Sequence, residues 1–339
     1  MIKIIHGFLI QILPMHYKTR GVVLISVLLV VLLLSSIAVL IGNNYFVSFK
    51  RAQYIEFQSV SLNIFRNIES LAIKKLNNEL RFNSKLHSKN NPLFTNNFVF
   101  EANQGIVTGM IKDASNCFNI NSIVFWNKND YQPNNKNIEI FKRLAELNEL
   151  DLNLVNEAID QIIDWIDNNS NPRQFGLEDY FYSGPLNSPR EYTGKRLFHS
   201  VSELKSIPGI RNIGWKFFND NVCAFPDNSL KININTLEIK DDILLASMFD
   251  DMSQIEAQFI IDNIPKNGFK NIADLEESFP SYQFEEAKMH VKFSSSNFKL
   301  ISTFTYDDLF SESISRIYYG KDNNGSNHSY IISRIYNGI

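Results

Sequence analysis

Cysteine is scarce in this 339-residue chain: there are two, Cys117 and Cys223. Charge of one sign is lacking too. The formal net charge is −3, so the whole chain has no electrostatic footprint for nucleic acid. Also missing are a Ser-His-Asp order, an H-E-x-x-H pair and a Gly-rich phosphate loop, so nothing converges on catalysis. The six histidines are scattered, and His199 and His290 read as surface residues. What is present excludes global disorder. Hydrophobic residues make up 44%, enough for a real core, and the length suggests two or three domains.

The strongest feature is VVLISVLLVVLLLSSIAVLI, residues 22–41, without a single charge. At ~1.5 Å per residue a helix of that length spans about 30 Å, the hydrocarbon thickness of a bilayer. A buried core helix would need a polar face. Lys18 and Arg20 precede the run, which keeps the amino terminus cytoplasmic and sends the bulk of the chain across the membrane. A cleaved secretory signal has a shorter apolar region and a small-residue cleavage site, which Ile41-Gly42-Asn43-Asn44 lacks. Either Met1 or Met15 can be the start. In an oxidising compartment an isolated cysteine pair tends to form a disulfide; two buried free thiols are the alternative.

Residues 43–86 continue as helix, with Leu62, Phe65, Ile68, Leu71, Leu76 and Leu80 as its apolar positions. FVFEANQGIVTGMIKD and CFNINSIVFW, residues 98–113 and 117–126, alternate polar with β-branched or aromatic residues and predict strands. Residues 137–290 are helical again, as in IFKRLAELNELD, VNEAIDQIIDWID, VSELKSI, IKDDILLASMFD and QIEAQFIIDNI. Strands return in FKLISTFTYDD, SISRIYYGK and SYIISRIY, with DNNGSN as a hairpin turn. The order predicts an α+β fold: a long amino-terminal transmembrane helix packed on an antiparallel sheet, with a large all-α insertion. The expected boundaries are a transmembrane helix at 22–42, an α+β domain at 43–136 and 291–339, and the insert at 137–290. A Cys117–Cys223 bridge would pin that insert to the sheet.

One loop is crowded with hard oxygens: DWIDNNSNPRQFGLEDYFY, residues 164–182. Asp167, Asn169, Asn171 and Glu178 stand at positions 1, 3, 5 and 12, close to a calcium loop. Position 6 is Pro172 where an EF-hand needs Gly, so this is not a standard EF-hand. Asp164, one turn earlier, and Asp179 can add ligands. Oxygen ligands alone favour Ca²⁺ over zinc or copper. A solvated turn and carboxylate acid–base chemistry are the alternatives.

SELKSIPGIRNIGWKFF and the later stretch from INTLEIKDD to NIADL look like helix-hairpin-helix repeats, with Pro208-Gly209-Ile210 as the first hairpin. In DNA-binding versions such a hairpin offers backbone N–H groups to phosphate. The second has Asp250 and Asp251 where phosphate would approach, so a packing module fits better than a DNA-uptake protein.

The plan as a whole resembles the type IV pilins: a basic leader ending in Gly, a long apolar helix, then an α+β domain. The junction is KTRG/VVLIS, and Ser26 stands where most pilins carry a glutamate. Its absence, with NCFNINSIV, IIDWIDNNSNPRQFGLEDYFY, SVSELKSIPGI and INTLEIKDDILLA, resembles the minor pseudopilin family called type II secretion system protein K. That resemblance implies a leader at residues 1–21, cut between Gly21 and Val22 by a prepilin peptidase, with the Val22 amine methylated. It implies a single pass of the inner membrane, a periplasmic bulk, and no enzymatic activity. It implies partners among the other minor pseudopilins and the inner-membrane assembly platform, a place at the pseudopilus tip, and calcium in the inserted domain. Asn169 and Asn171 depart from the acidic residues common at those loop positions.

Overall fold

A single helix, α1 (Arg20–Phe82), opens the described part of the chain. The computed structural model describes residues 20–82, 87–102, 105–282, 284, 287–321 and 326–338. The expected leader and most of the DNNGSN turn lie outside the described residues. Contacts divide the chain into two units, Met1–Val60 and Ser61–Ile339. In the first unit the apolar side chains of residues 22–41 are exposed on every side of α1. Among the described residues this is the one helix long and apolar enough to cross a membrane, with a mean hydropathy of 3.1 over its best window. Gly21 and Val22 lie in its first turn. Ser26 donates its hydroxyl to the Val23 carbonyl at 2.8 Å, so its polarity is satisfied inside the helix itself. Tyr45, Phe46 and Phe49 follow the apolar run, with Lys50 over the Phe46 ring. Aromatic and basic residues at that place suit a membrane–water boundary.

In the second unit α1 is one-sided. Phe65, Ile68, Ala72, Leu76 and Leu80 are buried at helical spacing. Leu71, expected on that face, is exposed, and Ala72 takes its place because spacings of three and four residues keep to one stripe. A short α2 (Pro92–Thr95) leads into β1 (Phe98–Ala102) and β2 (Gly105–Asp113).

The next segment departs from the strand expected over CFNINSIVFW. β3 is only Phe118–Asn119, and Ile120–Ile123 form a 3-10 turn before β4 (Val124–Asn127) and β5 (Asp130–Pro133). Asn119 starts the turn, its Oδ1 accepting the Asn121 N–H; an asparagine that bonds its own downstream backbone competes with the strand ladder. Then come α3 (Asn135–Leu147), α4 (Leu152–Ile166) and α5 (Asp179–Tyr182). VSELKSI gives a 3-10 turn, Val201–Ser206, in place of an α-helix. It leads to α6 (Pro208–Ile213), α7 (Trp215–Asn221) and β6 (Val222–Cys223). β6 runs parallel to β3.

That scheme then repeats. β7 (Ile232–Asn233), a 3-10 turn (Ile234–Thr236), α8 (Asp242–Ser247), α9 (Gln254–Asp262) and α10 (Ile272–Ser278) end at β8 (Val291–Lys292). β8 runs parallel to β7 in the same register as β6 to β3. The matching residues are Asn119-Ile120-Asn121-Ser122 and Asn233-Ile234-Asn235-Thr236. Asn121, fully buried, accepts the Phe198 N–H and donates to the Phe198 and Phe225 carbonyls. Asn235, also fully buried, clasps the Phe269 N–H and carbonyl in the same way. Each clasped Phe opens the same cap-and-turn stretch, FHSVSEL and FKNIADL. Ser200 and Asn271 cap the turns, and Leu204 and Leu275 are fully buried. The helical region is thus two copies of one module, 118–223 and 232–292, sharing a core that runs from Phe118 to Val291.

The disulfide joins Cys117 to Cys223, with Cα atoms 5.7 Å apart. Cys117 lies beyond the end of β2, so the bridge does not pin a helical insert to the sheet as expected. It closes the first module beside its parallel bridge. In the chain-entropy model, closing that long loop stabilises by about 4–5 kcal/mol. His290 is also a correction: it is buried, with Nδ1 3.1 Å from the Leu230 carbonyl, and burial holds its pKa down.

The chain closes with β9 (Asn297–Tyr306), β10 (Leu309–Lys321) and β11 (Asn327–Asn337). All pairings are antiparallel in the order β1-β2-β9-β10-β11. One face of this sheet receives the buried stripe of α1. Phe65 stacks near Tyr336, and the buried Glu69 accepts from Ser315 and Arg334.

Candidate metal site

The acidic stretch occupies residues 167–197 of the first module. In the second module only residues 265–268 stand at that place, between the equivalents of Ile166 and Phe198. α4 ends in Asp164, Trp165, Ile166 and Asp167 because its amphipathic pattern turns that last turn inward, against Tyr182 and Phe198. The chain then runs over the surface, and Glu178 enters from the start of α5.

Three of the six expected ligands are brought inside. Asp164, Asp167 and Glu178 are 0%, 5% and 1% exposed. Four of their carboxylate oxygens have no hydrogen-bond partner: Asp164 Oδ1, Asp167 Oδ1 and both oxygens of Glu178. Uncompensated burial of that kind is costly, and it shows in the titration. Burial pushes Asp164 up to about 6, against the hydrogen bond from the Arg173 amide. Burial, then the carboxylates of Asp130 and Asp164, pushes Asp167 up to about 6. Burial, then Asp167 and Asp164, pushes Glu178 up to about 7.

The other three expected ligands are placed differently. Asn171 is exposed and gives its N–H to Asn169 Oδ1. The Asn169 amide donates to Asp130 Oδ2 at 3.2 Å. Asp179 turns to Thr193, whose N–H and hydroxyl both donate to its Oδ1, and to Lys195 at 3.5 Å. Burial raises Asp179, but those partners outweigh it and hold its carboxyl below the usual range. The near-EF spacing therefore misled about the middle of the loop: the asparagines shape turns, while the buried oxygens come from the helix end and from Glu178.

Three participants were not singled out in the sequence. Asp130, the first residue of β5, meets the loop through Asn168 and Asn169. Tyr182 and Trp165 pack edge to face beside the carboxylates, and the Tyr182 hydroxyl and Trp165 Nε1 are buried without partners. Gly176 lies so close to Asp164 that a Cβ there would be 1.7 Å from Oδ2. Neither the aromatic residues nor the glycine, two before Glu178, gave a spacing signal. In this arrangement no group of three or more His, Cys, Asp or Glu among the described residues closes to metal-holding distance. The donor chemistry still fits a hard divalent cation, since the buried donors are carboxylate oxygens and four of them have no hydrogen-bond partner.

The first helix-hairpin-helix turn is filled by protein, as a packing module requires. The Gly209 N–H donates to Gln161 Oε1 at 2.8 Å inside the α4–α6 contact. A Cβ there would meet the Ala158 backbone at 3.1 Å. This hairpin glycine packs two helices and offers no amide to a phosphate, so the DNA-uptake reading has no support. Asp250 is engaged by Arg143.

A long apolar helix, an antiparallel sheet and a helical region between β2 and β9 define a pilin-like protein with a large α-helical insertion. Comparison with known proteins narrows the class. A family model described as type II secretion system (T2SS), protein K, matches residues 116–227, and a second of the same description matches residues 232–292. Each falls on one module, and together they take in just over half of the chain. The chain belongs to the type II secretion system protein K family. It is similar to protein K of Klebsiella pneumoniae, 26% identical over 271 residues, 76% of this chain and 79% of that one. It is also similar to protein K of Pectobacterium carotovorum subsp. carotovorum, 30% identical over 187 residues, 53% of this chain and 55% of that one. A crystal structure of the GspK-GspI-GspJ complex from enterotoxigenic Escherichia coli contains a chain of the same fold. Its TM-score is 0.71 at 19% identity, covering 85% of this chain and 99% of that one.

Proposed function

We propose that this chain caps the tip of a periplasmic pseudopilus and helps to start its assembly for protein export. The observation that carries this reading is the fold shared with a chain solved in complex with GspI and GspJ. The other minor pseudopilins are the partners, meeting the apolar part of α1 in the membrane. Ser26 supports a place at the end of the filament. A carboxylate at that position would pair with the terminal amine of a neighbour, and a charge left unpaired in a low-dielectric core is expensive. Prepilin peptidase cleaves after Gly21, the Val22 amine is methylated, and the assembly platform receives the subunit. The mature chain passes the inner membrane once, keeps its bulk in the periplasm and acts as a structural component without enzymatic activity. The proposed insertion consists of the two modules, 118–223 and 232–292, in place of the expected 137–290, and the transmembrane segment is proposed at 22–42.

Calcium is proposed as a structural ion held by Asp164, Asp167 and Glu178, with the Asp130 and Asn169 pair beside them. It would neutralise carboxylates that burial otherwise forces toward protonation. Amino-terminal sequencing of protein purified from membranes tests the assembly reading. A mature end at Val22 is expected, and a chain that retains residues 1–21 would overturn it.

A further inference from the structure

The sheet has a second face, turned away from α1. An antiparallel sheet with one solvated face normally turns apolar residues inward and polar residues outward. Here Val107, Ile111, Phe298, Leu300, Phe304 and Ile317 are buried on the α1 side, with Ser302, Ser311, Ser313 and Ser315 among them. The residues between them point the other way, and on that open face the register aligns them into rows. Met110, Ile301, Ile314 and Ile335 are successive cross-strand partners over four strands. The next row is Lys112, Lys299, Arg316 and Ser333. All of these are at least partly exposed, and on β2, β9 and β10 they alternate with buried residues.

Directly opposed like charges on neighbouring strands are destabilising. No carboxylate among the described residues forms an ion pair with Lys112, Lys299 or Arg316. Burial holds the pKa of Lys299 down, with Arg316 adding to it, and burial lowers Arg316 as well. Glu238 acts on Lys112 and Glu312 on Lys299 from a distance, but no ion pair closes along this line of three cations beside four apolar side chains. Strands are ~4.8 Å apart and every second residue advances about 7 Å along a strand. The cations therefore make a line about 10 Å long, parallel to the apolar line and about 7 Å from it.

We propose that this open face docks a partner protein presenting a stripe of carboxylates beside an apolar stripe. A second copy of the chain fits poorly, because it would offer the three cations either its own three cations or the single carboxylate of Glu312. A uniformly anionic lipid surface fits poorly, because Glu312 stands in the row on the other side of the apolar line, opposite Thr303 and Asn337. The proposal stands whether or not the chain sits at a filament tip.

The test places a photo-crosslinking amino acid at Ile301 of the full-length chain in secreting cells, with Ile255 on α9 as a control position. The expected result is a protein adduct at Ile301, mapped by mass spectrometry to a segment containing Asp or Glu. The triple change Lys112→Glu, Lys299→Glu and Arg316→Glu should lower its yield about tenfold. Changing the acids of the mapped segment to Lys should restore the yield. If the triple change prevents folding, the corresponding Gln variant replaces it, with a smaller loss expected. No adduct above the Ile255 background, a lipid adduct, an adduct with a second copy, or a protein adduct indifferent to these charges would overturn the proposal.

Discussion

The two modules of the helical region use the same lock and end differently. Both open with Asn-Ile-Asn, clasp a Phe peptide with the second asparagine and close with a two-residue parallel bridge. Both carry Ile-Ile-Asp at the end of a helix. In the first module that Asp164 is fully buried with Asp167 and Glu178; in the second, Asp262 is exposed and Pro265 stands where Asp167 would be. The second copy shows that the module folds without buried carboxylates at these positions. Those of the first copy are therefore additions, and the proposed ion site rests on the insertion of residues 167–197 that brings Glu178 to them.

The largest effect should come from breaking the lock itself. Asn121→Ala strands three buried backbone groups, at about 1–3 kcal/mol each, so a loss of several kcal/mol is expected in denaturant unfolding. Asn235→Ala strands two and should cost less. Equal, small losses would mean that the clasps are incidental.

Next in size is the ion. Calcium at a hundred times its dissociation constant should stabilise by about 2.7 kcal/mol. Without it, proteolysis should begin within residues 167–197 and spare residues 265–268. Early cutting in the second module would break the comparison.

A smaller effect concerns pH in chelator. The folded pKa values of Asp164, Asp167 and Glu178 lie above their ordinary ones. Across the window from about 4 to about 7 the unfolded chain therefore binds fewer of these protons than the folded one. Stability of the ion-free protein should fall as pH rises through that window. Glu178→Gln should flatten the fall and stabilise the ion-free chain at pH 8 by about 1–2 kcal/mol. Thermal melting across pH reads both.

The smallest expected change is Asp262→Asn in the second module, within about 0.5 kcal/mol with or without calcium. A response like that of Asp164→Asn would remove the distinction between the modules.

Much of the architecture was legible because hydrophobic spacing reports it directly. The uncharged run of residues 22–41, the alternation in β2 and β9–β11 and the helical stripes of α3 and α4 each declare their type. The first Asn-Ile-Asn turn was read as strand, since its β-branched residues look the part while the asparagine side chains redirect the backbone; the second lay within the stretch read as helical. Asp167, Asn169, Asn171 and Glu178 were chosen by spacing, and Asp164 and Asp179 as their neighbours. Spacing cannot tell a buried oxygen, as at Asp167, from one spent on Thr193 or on a turn. Asp130 comes from a distant hairpin, and no local pattern announces it. His290 looked like a surface residue because one histidine without periodic neighbours carries no burial signal.

Calorimetric titration of calcium into the full-length chain, run beside Glu178→Gln, tests the division between the modules most directly. Saturable binding with a raised melting temperature, both lost in the variant, is the predicted result. No heat of binding and an unchanged melting temperature in the natural chain would contradict it.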